Sequence, residues 1–262
     1  MSDQNKPISA SLSMLQPVWH SLNPGGTTGH GELYQTSLMT ALLEGIYEGA
    51  VTYGELHRHG DFGLGTFNDL DGEMVGFDGA FYQLRADGYA RPVTDGQKTP
   101  FAVVTFFQPD REMKISSRIS KQDLLAQLES ESEPNLFTAI KISGSFEVIR
   151  TRTVQPQVRP FPPLTEATEH EAVKTFSDVR GTLAGFRTPA FAQGIGVAGF
   201  HMHFLREDRK AGGHALDYVI RDGIVQTARL NGFHVELPDT GDFRKSTLSG
   251  QLANDEIKQA EG

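Results

Sequence analysis

The residues best suited to chemistry lie in one short stretch, Phe200-His201-Met202-His203-Phe204-Leu205. On a strand, residues two apart share a face, so His201 and His203 project together while Phe200, Met202 and Phe204 face a core. The charged stretch Arg206 to Lys210 follows, and the pair Gly212-Gly213 gives the chain room to reverse. His214 then opens a new apolar run, Ala215 to Ile220. Antiparallel pairing of the two runs sets His214 opposite or diagonal to His203, with Cβ atoms about 5 Å or roughly 7–8 Å apart. Either spacing lets imidazole nitrogens converge on one ion at about 2.0–2.1 Å each. Three neutral nitrogens suit zinc, and would also accept nickel, cobalt or iron. Three protein ligands leave coordination positions open, as catalytic zinc sites do. His57-Arg58-His59 has the same spacing without the same meaning. It is charged, Gly-flanked and lacks a third histidine, and reads as a solvated turn.

Composition narrows the chemistry further. The chain has 262 residues, 38% hydrophobic and 22% charged, with a formal net charge of -9. That balance describes a soluble globular protein. Its acidity disfavours nucleic acid and anionic membrane surfaces as partners. Cysteine is absent, which removes disulfides, thiolate nucleophiles and Cys-ligated metals together. No apolar run approaches the roughly 18 residues that span a bilayer, and residues 1–16 lack the pattern of a signal peptide, so the expected location is the cytoplasm. No Gly-x-Ser-x-Gly elbow, P-loop or dinucleotide fingerprint is present. Gly63-Leu64-Gly65 lacks the third glycine, so nucleotide-dependent chemistry has no support.

The elements that must position these groups read as mainly β. Leu38, Leu42, Leu43 and Ile46 recur at helical spacing and predict a helix over Tyr34–Tyr47, capped by Thr36 or Ser37 and ended by Gly49. Closely spaced glycines from Gly60 to Gly79 suit short strands joined by tight turns. Phe101–Phe107 and Ala139–Thr151 read as strands, and Lys121–Leu128 as a short helix. Phe176–Phe186 and Gly199–Arg206 are further strands, and His214–Leu230 a hairpin turning at Arg221-Asp222-Gly223. Four prolines in residues 156–165 mark an extended connector. The expectation is an α+β, mixed or antiparallel, sheet-rich two-domain fold with a few helices. Residues 1–30 form an extension, 31–160 an N-terminal sheet domain, and 161–262 a C-terminal sheet domain with the histidines and an acidic tail. The metal site would lie on a β-hairpin facing the domain junction.

In several segments the sequence resembles the α-acetolactate decarboxylase family. They are Leu33-Tyr34-Gln35, Gly60 to Phe67, Leu70-Asp71-Gly72-Glu73, Lys141 to Gly144, Arg150 to Val154, the proline connector, Gly199 to Phe204 and His214 to Asp217. The likeness runs from about residue 31 onward. The resemblance implies a two-domain, dimeric, sheet-rich protein with zinc held by His201, His203 and His214. It implies conversion of 2-acetolactate to (R)-acetoin and CO2. By motif it also places Glu73, Thr66 and Arg152 in the site, and a C-terminal glutamate matched by Glu261, with Glu256 second. The chemistry is coherent. Loss of CO2 leaves an electron pair that a Lewis acid can help the neighbouring ketone accept, so no organic cofactor is needed. Arg152 would meet the carboxylate, and Glu73 with the tail glutamate would handle a proton. An alternative is a cupin-type metal oxidase or isomerase, in which Glu207 replaces His214 as ligand; a third is a binding module that holds metal without turnover.

Overall fold

The computed structural model describes residues 18–22, 31–169, 171–248, 257 and 260. Among these residues thirteen strands form one hydrogen-bonded network. They are β1 (Trp19–Ser21), β2 (Gly31–Thr36), β3 (Phe62–Thr66), β4 (Glu73–Phe77), β5 (Ala80–Leu84), β6 (Ala90–Pro92), β7 (Ala102–Thr105), β8 (Arg111–Ile115), β9 (Ile119–Ser120), β10 (Phe137–Thr153), β11 (Ala172–Thr188), β12 (Gly199–Arg206) and β13 (Gly212–Glu236). The helices among the described residues are short: α1 (Met39–Leu43), α2 (Tyr53–Leu56), α3 (Lys121–Glu131), α4 (Leu164–Ala167) and α5 (Gly241–Lys245). The sheet-rich α+β class is therefore as the sequence predicts. The strand ladders are antiparallel except that β13 runs parallel to β2.

Four strands close on themselves: β10 pairs with β11, β11 with β12, β12 with β13, and β13 returns to β10. Their enclosed face is packed with Phe146, Phe176, Phe204 and Tyr218, and α3 adds Leu124 and Leu128. Met202 and Phe204 are buried in this core, as their alternation with the histidines requires. The opposite face of β11 and β12 packs on a second sheet order, β2-β7-β3-β4-β5-β6. There Leu33, Phe62, Leu64 and Val75 meet Ala184, Phe186 and Leu205. Ala184 pairs with His203 and Phe186 with His201, so the histidines open towards this second layer. The proline connector lies between β10 and α4. The sheet is continuous across it, because β10 pairs on both edges with strands that follow the connector.

Three local expectations are corrected. The helix expected over Tyr34–Tyr47 begins only at Met39 and ends at Leu43. Residues 31–36 are instead a strand between β13 and β7, buried on both faces at Leu33–Thr36, which leaves no period-two pattern to read. Ser37, at φ 67°, breaks the chain between strand and helix. The hairpin at Arg221-Asp222-Gly223 does not form. Those residues lie within β13, where the long partner β10 carries the ladder past them through bulges near Ser145 and Phe146. The pair Gly212-Gly213 is not the reversal, which falls at residues 207–211. A Cβ at Gly212 would lie 2.0 Å from the Phe204 carbonyl oxygen, and one at Gly213 2.6 Å from that of Arg152. These glycines serve close strand approach, not flexibility.

Gly185 plays the same part beside the histidines. A Cβ there would lie 2.0 Å from the carbonyl oxygen of His201 and 2.8 Å from Cα of Met202, both backbone atoms. Gly185→Ala is expected to destabilise the fold by about 1–3 kcal/mol. Urea denaturation checks this, and an unchanged midpoint would contradict the tight β11–β12 approach.

Candidate metal centre

One cross-strand row builds the site. His203 on β12 lies opposite His214 on β13, and His214 lies opposite Arg152 on β10. Directly opposed residues share a face, so all three side chains rise on the same side. His201 joins them from two residues before His203. The ring nitrogens converge: His201 Nε2 lies 3.2 Å from His203 Nε2 and 3.2 Å from His214 Nδ1. Each histidine offers one ligand atom, and the three lie within 4.8 Å of one another.

The second layer fixes the arrangement. His203 Nδ1 lies 2.7 Å from the carbonyl oxygen of Met74 on β4. A carbonyl only accepts, so Nδ1 carries the proton and Nε2 presents its lone pair to the other histidines. Such outer hydrogen bonds set tautomer and ring orientation in metal-binding histidines. Burial keeps the rings neutral. His201 is pushed down to about 3, first by desolvation and then by the charge of Arg152. His203 and His214 are lowered for the same first reason, helped by His201 and Arg152. The residues fit a cation. Nitrogens about 2.0–2.1 Å from a tetrahedral zinc are separated by about 3.3 Å, close to the spacing found here, and neutral imidazole is the ligating form.

The other site residues fall around the triad. Glu73 opens β4, with Oε2 3.7 Å from His203 Nε2 and its side chain 13% exposed. Thr66 pairs with Glu73 across β3–β4, and its hydroxyl donates to the Gly72 carbonyl at 2.7 Å. Tyr53 donates to the Thr66 carbonyl at 2.9 Å from below. Arg152 is buried, and its Nη2 donates to the Ala260 carbonyl. Ala260 and Ile257 are themselves buried in the core shared with Leu33 and Phe186. Glu261 and Glu256 lie outside the described residues. Residues from both sides of the proline connector therefore meet here. A cavity of about 10 Å³, room for about one water, borders His201 and is lined by both apolar and polar side chains, among them Leu64, Phe186, Gln35 and Thr188.

Other candidates stay apart. Glu207, the ligand in the cupin alternative, is exposed and pairs with Arg180 at 3.3 Å. His57 and His59 lie in an exposed turn after α2, where His59 stacks on Tyr34 at 3.8 Å. Two groups that the sequence reading missed are the Met74 carbonyl, which no sequence pattern can mark, and Glu171. Glu171 lies 3.0 Å from Arg152 Nη1. It is two residues before Val173, the partner of Arg152 on β11, so only the strand register reveals the pair.

The chain is similar to known proteins over most of its length. The family described as Alpha-acetolactate decarboxylase matches residues 33–250. The alpha-acetolactate decarboxylase of Bacillus subtilis strain 168 is 44% identical over 88% of this chain and 91% of its own. That of Klebsiella aerogenes is 44% identical over 87% and 88%. A crystal structure of the Bacillus subtilis strain 168 protein superposes with a TM-score of 0.87 at 44% identity, covering 88% of this chain and 99% of that one. A Staphylococcus aureus protein of unknown function, described as similar to alpha-acetolactate decarboxylase, superposes with a TM-score of 0.85 at 31% identity, covering 88% of this chain and 100% of that one.

The lowered histidines predict the acid response of metal-free protein. Between about pH 6.5 and the folded-state value, the unfolded chain binds protons that the folded triad refuses. Stability therefore rises with pH across this window and falls on acidification. Each histidine contributes a slope of at most about 1.4 kcal/mol per pH unit. Denaturant melts of chelated protein from pH 7 to pH 5 check this. The expected slope should shrink in His201→Asn, and equal slopes would contradict the buried neutral triad.

Proposed function

The chain belongs to the alpha-acetolactate decarboxylase family and has the carbon–carbon lyase activity of an acetolactate decarboxylase, and from that premise we propose that zinc held by His201, His203 and His214 serves the loss of CO2 from 2-acetolactate. The product is acetoin, as the (R) enantiomer. The observation that carries the reading is the buried convergence of three neutral imidazoles beside a buried arginine. When bound, the ion supplies a Lewis acid that draws off the electron pair left as CO2 departs.

The rest of the work falls to side chains. Arg152 stands beside His214 in the cross-strand row and orients the substrate carboxylate through charge-assisted hydrogen bonds. Glu73 handles the proton that ends on carbon, with Glu261 as its partner and Glu256 as the second choice. Delivery from one face accounts for a single enantiomer. Thr66 commits its hydroxyl proton to Gly72 and so holds the turn from which Glu73 projects. Leu64 and Phe186 line the space beside His201, and the burial of His203 and His214 weakens the screening of charges placed there. We further propose that the enzyme works as a cytoplasmic homodimer of two-domain chains. No helix among the described residues is long and apolar enough to cross a membrane.

Two experiments test the reading. Purified protein incubated with 2-acetolactate is expected to release acetoin, to lose that activity on chelation and to regain it with zinc. Fully metallated protein without acetoin would overturn the proposal. Arg152→Ala should keep zinc but lower kcat by about 10²–10³-fold, the cost of losing one such stabiliser. Metal content separates the alternatives: His214→Asn should lose zinc and Glu207→Ala should keep it, whereas the cupin reading requires the reverse.

A further inference from the structure

Arg152 does not stand alone in its buried position. Its Nη1 lies 3.0 Å and 3.3 Å from the two carboxylate oxygens of Glu171, and its Nη2 donates to the Ala260 carbonyl. Both side chains of the ion pair are nearly buried, 8% exposed for Arg152 and 10% for Glu171. A long arginine side chain has many rotamers, and productive alignment with a carboxylate needs only one of them. The strand register fixes the Arg152 backbone but not its guanidinium. Glu171, the residue just before β11 and two before the ladder partner of Arg152, reaches the guanidinium and accepts from its Nη1.

The charge balance gives Glu171 a second task. The triad is neutral, and Arg152 lies close enough to depress all three histidines. The same field opposes any cation placed among them. Glu171 sets a negative charge directly against that arginine, in a setting where charges are weakly screened. Removing it would take one negative charge away from the buried guanidinium beside the place a cation must enter.

We propose that Glu171 is a positioning residue for the reaction: it holds the Arg152 guanidinium in its working orientation and offsets its charge at the histidine triad. The proposal rests on the decarboxylase reading above. It is distinct from a merely structural ion pair, which would change stability and leave both turnover and zinc affinity untouched once the protein is folded.

A double-mutant cycle tests it, with kcat measured at full zinc occupancy and zinc affinity measured by chelator competition. Glu171→Gln is expected to lower kcat by about 10–100-fold. In an Arg152→Ala background the same change should cost nothing further, because the group it positions is gone. Zinc affinity should fall about 10-fold in Glu171→Gln and recover when Arg152→Ala is added. If Glu171→Gln does not fold, Glu171→Asp replaces it. That variant keeps the charge but withdraws the carboxylate by one methylene, so kcat should fall, again without effect in the Arg152→Ala background, while zinc affinity holds. Wild-type turnover in the glutamate variants, or losses that multiply in full with that of Arg152→Ala, would overturn the proposal. If the wild-type protein releases no acetoin, the decarboxylase reading fails first. The zinc-affinity cycle then still decides whether Glu171 offsets Arg152.

Discussion

Strand β13 meets β12 through only three residue pairs and meets β10 from His214 to Leu230, and His214 lies where the two ladders share a residue. That register is the constraint on which the site depends. A slip of one residue in β13 would turn His214 to the aromatic core and bring Gly213 or Ala215 into the row. The glycines beside the histidines then acquire a clear purpose. Gly185, Gly212 and Gly213 let backbones approach too closely for any side chain, so β11 lies tightly on β12, and β13 on both β12 and β10. The enclosed aromatic core of Phe146, Phe176, Phe204 and Tyr218 holds the register from the other side.

The second layer converts a row of side chains into a site. Met74 fixes the tautomer of His203, Glu73 brings a carboxylate to its outer edge, and Leu64 and Phe186 line the space beside His201. Desolvation then holds the histidines in the neutral form that binds metals, at a cost to the metal-free fold in acid. Arg152 and Glu171 carry opposite charges into the same buried region. The site therefore brings together three neutral imidazoles, a buried arginine and acids held on separate elements.

Much of this was legible in the sequence because strand alternation is local. His201 and His203 share a face with core residues between them, and their spacing says so without a structure. The position of His214 followed from one short reversal. The tertiary companions were harder. Arg152, Glu73 and Thr66 lie far from the histidines in the chain, and only the family resemblance brought them together. Glu171 escaped because it lies two residues before the ladder partner of Arg152, in a register no local pattern reveals. The misread helix at Tyr34 and the hairpin at Asp222 share one cause. Where a strand is buried on both faces, or runs past a glycine inside a long ladder, period and turn residues lose their ordinary meaning.

The central claim is that one zinc ion is held by three imidazoles and retains open positions. X-ray absorption at the zinc edge of the loaded protein, with anomalous diffraction from a crystal, addresses it directly. The account predicts one ion among His201, His203 and His214, with three nitrogens at about 2.0–2.1 Å and the remaining donors supplied by water. An ion closed off by four protein ligands, or one found at Glu207 with His214 displaced, would contradict it.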